Sequence, residues 1–213
     1  MAVKHVKQAL MTGVGEAYLQ FMETEETTAK APTYAETVYV TPSIDKVAVA
    51  LELATKKVYA SNMLHSNPEA VKSANITLDA LYLPVGFAEE AQGMKHIAGG
   101  WSMPVNPKKK YFRFTFPITN DAGEALVVTF PKCSLSPVDF NGETEREDIT
   151  EQVQQFNILA TPLIYKIEGA QYVYHKIDLA VEENATKYDL AKLLEKGWYS
   201  KETADECAKV PGG

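Results

Sequence analysis

The side chains able to do chemistry in this chain are few and scattered. The thiols are Cys133 and Cys207, and the imidazoles are His5, His65, His96 and His175. A nucleophilic thiol needs a neighbouring group that holds it as thiolate. Cys133 stands between Lys132 and Ser134 in a strand-like run with no such partner, so a core or half-buried thiol is expected. The histidines lack the i, i+4 spacing that puts two imidazoles on one helical face for a metal ion. Gly13-Val14-Gly15 opens like a phosphate loop, but no Gly-Lys-Ser/Thr follows and the next residues alternate as a strand, which predicts a turn.

Two charged clusters remain. Asp139-Phe140-Asn141-Gly142-Glu143-Thr144-Glu145 has the oxygen donors of a calcium loop in the wrong places: its glycine is fourth instead of sixth, and Thr150 stands where a bidentate glutamate is needed. An Asn-Gly turn with a solvated acidic run is expected, a weak surface cation site being the alternative. Lys108-Lys109-Lys110 has no aromatic-interleaved basic surface around it of the kind that grips nucleic acid. It reads as a polar loop, or as half of an ion pair across a subunit boundary with an acidic loop such as residues 143–148. No catalytic, cofactor-binding or metal-ligating residue is assigned, and no enzyme is expected.

Composition bounds what the chain is built to do. Its 213 residues suit one domain, or one with a small appendage, and bury a proper core. Hydrophobic residues at 46% and charged residues at 23% are ordinary for a globular protein. A net charge of -7 opposes tight nucleic-acid binding, which needs clustered Lys and Arg. Two distant cysteines argue against a disulfide framework and fit folding in a cytosol. The N-terminal residues include no apolar run long enough for a signal peptide, and no stretch approaches the ~20 apolar residues that span a membrane. Without a signal peptide, the glycosylation patterns at Asn75 and Asn184 are expected to be chance.

The elements that must position these residues are mostly strands. Alternation or β-branched and aromatic enrichment marks residues 15–23, 38–40, 47–54, 57–60, 74–82, 111–119, 125–134, 149–159 and 171–179. Nine short strands imply a sandwich or barrel. In residues 47–53 the larger aliphatics fall on odd positions, so that face is expected to pack, with Ala48, Ala50 and Glu52 in a thinner or wetter environment. In residues 75–81 the phase shifts at Asp79, predicting a bulge or strand end. Phe112, Phe114 and Phe116 share one face of a strand, with Tyr111, Arg113 and Thr115 on the other. A turn through Asn120, Asp121 and Gly123 closes the hairpin onto residues 126–130.

Helices are short. Pro84 starts a turn that places Phe87 and Ala91 four apart, as a helix on a sheet edge would. Asn184 or Thr186 is expected to cap a helix striped by Leu190, Leu193 and Leu194 and stopped at Gly197, and Ser200 to cap a last one. Residues 95–110, broken by Pro104 and Pro107, read as a long loop.

The order of these segments resembles that of the major tail (tail tube) proteins of long-tailed, non-contractile bacteriophages. The resemblance covers residues 12–166 and rests on four stretches. GVGEAYLQFMETEETTAKAPTYAETVYV is a glycine-led strand, polar loop and second strand. VAVALELATKKVYASNMLHSNPEAVKSANITLDALYLPVGFAEEAQGM is strand, variable loop, strand, LYLP exit and short helix. YFRFTFPITNDAGEALVVTFPKCSLSPVDFNGETEREDI is the aromatic hairpin, and ITEQVQQFNILATPLIY a closing strand.

The resemblance implies a mainly β fold: an antiparallel, sandwich or barrel-like tail tube domain over residues 1–180 with a flanking short helix, then a helical C-terminal extension over 181–213. It further implies stacked, hexameric rings around a tape-measure protein, made in the host cytoplasm and placed in the virion tail. Tail terminator and distal tail proteins would be partners. DNA would pass transiently, and no cofactor, metal or membrane would be involved. The alternative is another β-rich virion or surface module: a terminator, baseplate or receptor-binding protein, or an injection-system tube subunit. An acidic surface that repels DNA suits a conduit.

Overall fold

The computed structural model describes residues 10–55, 58–60, 63–66, 69–138 and 153–209, with 58–60 and 63–66 as backbone. The first eight strands are β1 (Met11–Val14), β2 (Ala17–Thr24), β3 (Thr33–Tyr34), β4 (Tyr39–Thr41), β5 (Ile44–Thr55), β6 (Val58–Ala60), β7 (Met63–Ser66) and β8 (Glu69–Ala80). After helix α1 (Phe87–Ala91) come β9 (Lys95–Ile97), β10 (Gly100–Ser102), β11 (Phe112–Asn120), β12 (Ala125–Leu135), β13 (Gln154–Ala160) and β14 (His175–Asp178). Helices α2 (Glu182–Lys187), α3 (Leu190–Lys196) and α4 (Lys201–Glu206) follow.

The fold is mainly β with short helices, as the periodicity predicts. Ten strands form one antiparallel sheet in the order β3-β2-β11-β12-β13-β8-β5, with β1 added to β11, β4 to β2 and β14 to β12. Among the described residues this path does not close into a barrel, because β5 and β3 are left at its ends. Two small ribbons, β9–β10 and β6–β7, stand apart from it.

One sheet face makes the main core. Leu19 and Phe21 of β2, Phe112, Phe114 and Phe116 of β11, Ile76 and Leu78 of β8, and Phe156 and Ile158 of β13 all turn inward, each set spaced by two along its strand. Helix α1 plugs this face with Phe87, whose ring stacks on Phe21 at 4.6 Å and meets the Phe112 edge at 5.2 Å. Each such ring contributes about 1.5–3 kcal/mol by leaving water. The β11–β12 hairpin turns where expected, with the Asn120 side-chain oxygen accepting from the Ala122 and Glu124 amides. The bulge expected near Asp79 is carried by the partner strand, where register slips between Ile44 and Lys46, and β8 ends one residue on, at Ala80.

Over β11, β12 and β14 the opposite sheet face is covered as well, which alternation alone does not indicate. Val127 and Ile177 pack against Leu193, Leu194 and Cys207 of the C-terminal helices. Arg113, on the strand face opposite Phe112, Phe114 and Phe116, is 4% exposed. Its Nη2 donates to the Glu195 carbonyl at 2.7 Å and its guanidinium lies 4.9 Å from the Tyr34 ring. Burial lowers its pKa to about 10, so it remains a cation at neutral pH. The C-terminal carbonyls of α3 receive this charge. Gly197 ends α3 at φ 60°, and a Cβ there would fall 2.6 Å from Arg113 Nε, so the residue answers both a backbone and a packing demand.

The helix caps differ in part from expectation. Asn184 and Thr186 lie inside α2, and Asp189 caps α3 by accepting from the Lys192 amide at 3.1 Å. Ser200 caps α4 as expected, in a reciprocal box with Thr203. Residues 95–110, read as a loop, hold the β9–β10 ribbon, whose turn residues Ala98 and Gly99 both take positive φ.

Candidate assembly surface

Strands β5 and β8 pair from Ile44↔Ala80 out to Thr55↔Glu69, a hairpin of twelve-residue strands. Only its proximal part overlies the core. Residues directly opposite in an antiparallel pair share a face, so Val49 lies beside Ile76, Leu51 beside Ala74 and Leu53 beside Val71. This face continues the core-facing stripe past the body of the sheet. The expectation that the odd positions of 47–53 pack inside the chain is therefore corrected. Val47 packs against the core, but Val49, Leu51, Leu53 and Val71 are 43%, 42%, 50% and 44% exposed. The reason is length: the arm outruns every element that overlies the sheet.

The other face of the same strands is small and polar. Lys46, Ala48 and Ala50 lie opposite Asp79, Thr77 and Asn75, which in turn lie opposite Gln155, Asn157 and Leu159 of β13. Gln155 donates to Asp79 at 3.1 Å, and Ser73 donates to Glu52 at 2.8 Å. Along the outer side of β5 no described strand pairs. Open edge, apolar stripe and polar face thus belong to one hairpin.

Among the described residues, those singled out for chemistry are not brought together. Gly15 sits at a close strand approach, where a Cβ would meet Pro117 Cγ at 2.7 Å, and a strand follows, which agrees with the turn reading. His96 is on the exposed β9 ribbon against Trp101, and His175 is on β14 against Trp198. Cys133 and Cys207 are both buried, and burial raises both thiols, Cys133 well above its ordinary value, as an inert core thiol requires. Lys110 pairs with Glu90, while Lys108 and Lys109 lie exposed on the loop. His5, the candidate calcium run 139–145 and the acidic run 143–148 lie outside the described residues, as does the His65 side chain. No group of three metal-binding side chains occurs among the described residues.

Sequence reasoning misses one buried ion pair. Lys132 Nζ donates to Glu26 Oε1 at 2.7 Å and lies 4.4 Å from the Tyr111 ring, and the same carboxylate oxygen accepts from the Ile164 amide at 3.1 Å. Glu26 Oε2 is buried without a partner among the described residues. Burial pushes Glu26 up, but the Lys132 and Ile164 donors outweigh it and hold the carboxyl below its ordinary value. The pair pins the 24–30 turn and the 161–167 segment to β12.

No family model matches the chain and no curated protein matches it. Among solved structures, the tube-terminating cap of the anti-feeding prophage superposes with TM-score 0.46 at 10% identity, over 84% of this chain and 95% of that one. The six-fold symmetrised anti-feeding prophage baseplate gives 0.32 at 9% identity, over 83% and 97%. Likeness at this distance assigns no role to the chain.

Proposed function

We propose that this chain is a structural virion protein that polymerises as stacked, hexameric rings to form a phage tail tube, a conduit for DNA around a tape-measure protein. The observation that carries the reading is the β5–β8 arm. An open edge flanked by four exposed aliphatic side chains is a liability in a free monomer, and a closed ring removes it by pairing each edge with the next subunit. The small polar face beside it, with Lys46 balanced by Asp79, offers a lumen to which a polyanion does not adhere.

The same reading makes the chain a non-enzyme without cofactor, whose partners are its own copies, the tape-measure protein, and terminator and distal tail proteins. Its place is the virion tail, without membrane insertion. Among the described residues no helix is long and apolar enough to cross a membrane. Electron microscopy of the purified protein is the test, with rings or striated tubes expected. A chain that stays monomeric at every concentration, or oligomers that never stack, would sink it.

A further inference from the structure

Where the β9–β10 ribbon folds back toward α1, an open cleft of ≈ 510 Å³ is lined by Met94, Lys95, Trp101, Pro104, Asn106 and Lys108. Its lining joins the apolar Met94, Trp101 and Pro104 to the cations Lys95, Lys108 and Lys110. Residues 95–110 carry four lysines and no acid, and Glu90 on the cleft wall is already engaged by Lys110. The surroundings are unusually greasy for a surface: Ile97, Met103 and Val105 are 59%, 45% and 97% exposed. A ligand fitting this cleft joins an aliphatic side chain to adjacent carboxylates.

This chain displays such a segment elsewhere. Val181 is 48% exposed and is followed by the exposed Glu182 and Glu183. The two sites lie at opposite ends of one hairpin. Lys110 stands two residues before the start of β11 at Phe112, whereas Leu179 is hydrogen-bonded to Ala125, just past the turn at the far end. Along β11 that separation is about 27 Å, too far for the segment to fill the cleft of its own chain.

We propose that the cleft takes the Val181-Glu182-Glu183 segment of a second copy, the valine against Trp101 and the carboxylates toward Lys95 and Lys108. The contact is head-to-tail, so it propagates along an axis instead of closing a dimer. It rests on the tube reading for its biological setting, where it supplies the stacking of one ring on the next, but its chemistry stands on the two surfaces.

Charge exchange in the full-length protein tests it, because all four charged sites are exposed and their variants are expected to fold. Sedimentation is expected to show self-association that weakens at least about tenfold from low salt to about 0.5 M salt. K95E/K108E and E182K/E183K each weaken it to a similar extent, and mixing the two variants restores it. A mixture no stronger than either variant alone, or wild-type protein monomeric at every salt, overturns the proposal. So does rescue of K95E/K108E by E143K/E145K with E182K/E183K inert, which would make the acidic run 143–148 the occupant. Microscopy separates the two readings. Charge-dependent association without rings removes the tube and keeps this contact, whereas rings that stack equally well in K95E/K108E remove this contact and keep the tube.

Discussion

Lys132 and Glu26 are 106 residues apart and meet in the interior, so neither position announces the other. Removing one partner strands a buried charge. Lys132→Met is expected to cost about 3–5 kcal/mol, and the pairwise change Glu26→Leu/Lys132→Met to recover most of it, as read by chemical denaturation. Acid acts on the same pair. Because the folded carboxyl is held below its ordinary value, the stability it contributes is present above the usual carboxylate range and is lost as pH falls through the depressed value. His175 adds to the same trend. Burial lowers it to about 4, so the unfolded chain takes up this proton first and stability falls as pH drops from about 6.5 toward 4. In His175→Phe the slope of stability against pH across that window is expected to flatten, and an unchanged slope would show that other groups govern it. Arg113 and Lys132 are charged residues in strands, yet both are buried. Nothing nearby in sequence reveals that segments dozens of residues away lie over them.

At the scale of elements, what was legible depended on whether the decisive partner was local. The aromatic hairpin of β11 and β12, the Phe87–Ala91 helix and the Ser200 cap were readable because periodicity, turn chemistry and capping act within a few residues. The β9–β10 ribbon is not legible in sequence, because three-residue strands give too little alternation to register. The arm was half legible: spacing showed that Val47, Val49, Leu51 and Leu53 share a side, but not that the sheet beneath them ends. A consequence separates folding from assembly. Val49→Lys/Leu51→Lys is expected to leave the thermal transition of the monomer within about 0.5 kcal/mol of wild type, since both sites are exposed, while abolishing rings under the microscope. A large loss of monomer stability would mean that the stripe is covered within the chain.

The described residues form one large antiparallel sheet with α1 packed on one face and the C-terminal helices roofing β11, β12 and β14 on the other. The mainly β class and the C-terminal change to helix were both visible in sequence. The roof was not, because amphipathic stripes such as Leu193-Leu194 show that a helix packs but not on what. If the roof is integral, a chain stopped at residue 188 loses Leu193, Leu194 and the carbonyl that receives Arg113, and its cooperative melting transition is expected to disappear. A truncated chain that melts as sharply as the full one would make these helices an appendage. Purified protein is also expected to show little affinity for duplex DNA at physiological salt, and tight salt-sensitive binding would count against a conduit. The roof also sets a timetable during synthesis. At about 5–20 residues per second the ribosome releases the arm well before α3, so for several seconds a nascent chain displays its adhesive edge while Arg113 and Val127 still face water. If the ring reading holds, neighbouring chains on one message are expected to meet edge to edge in that interval, so translation spacing is expected to influence how much protein reaches a ring.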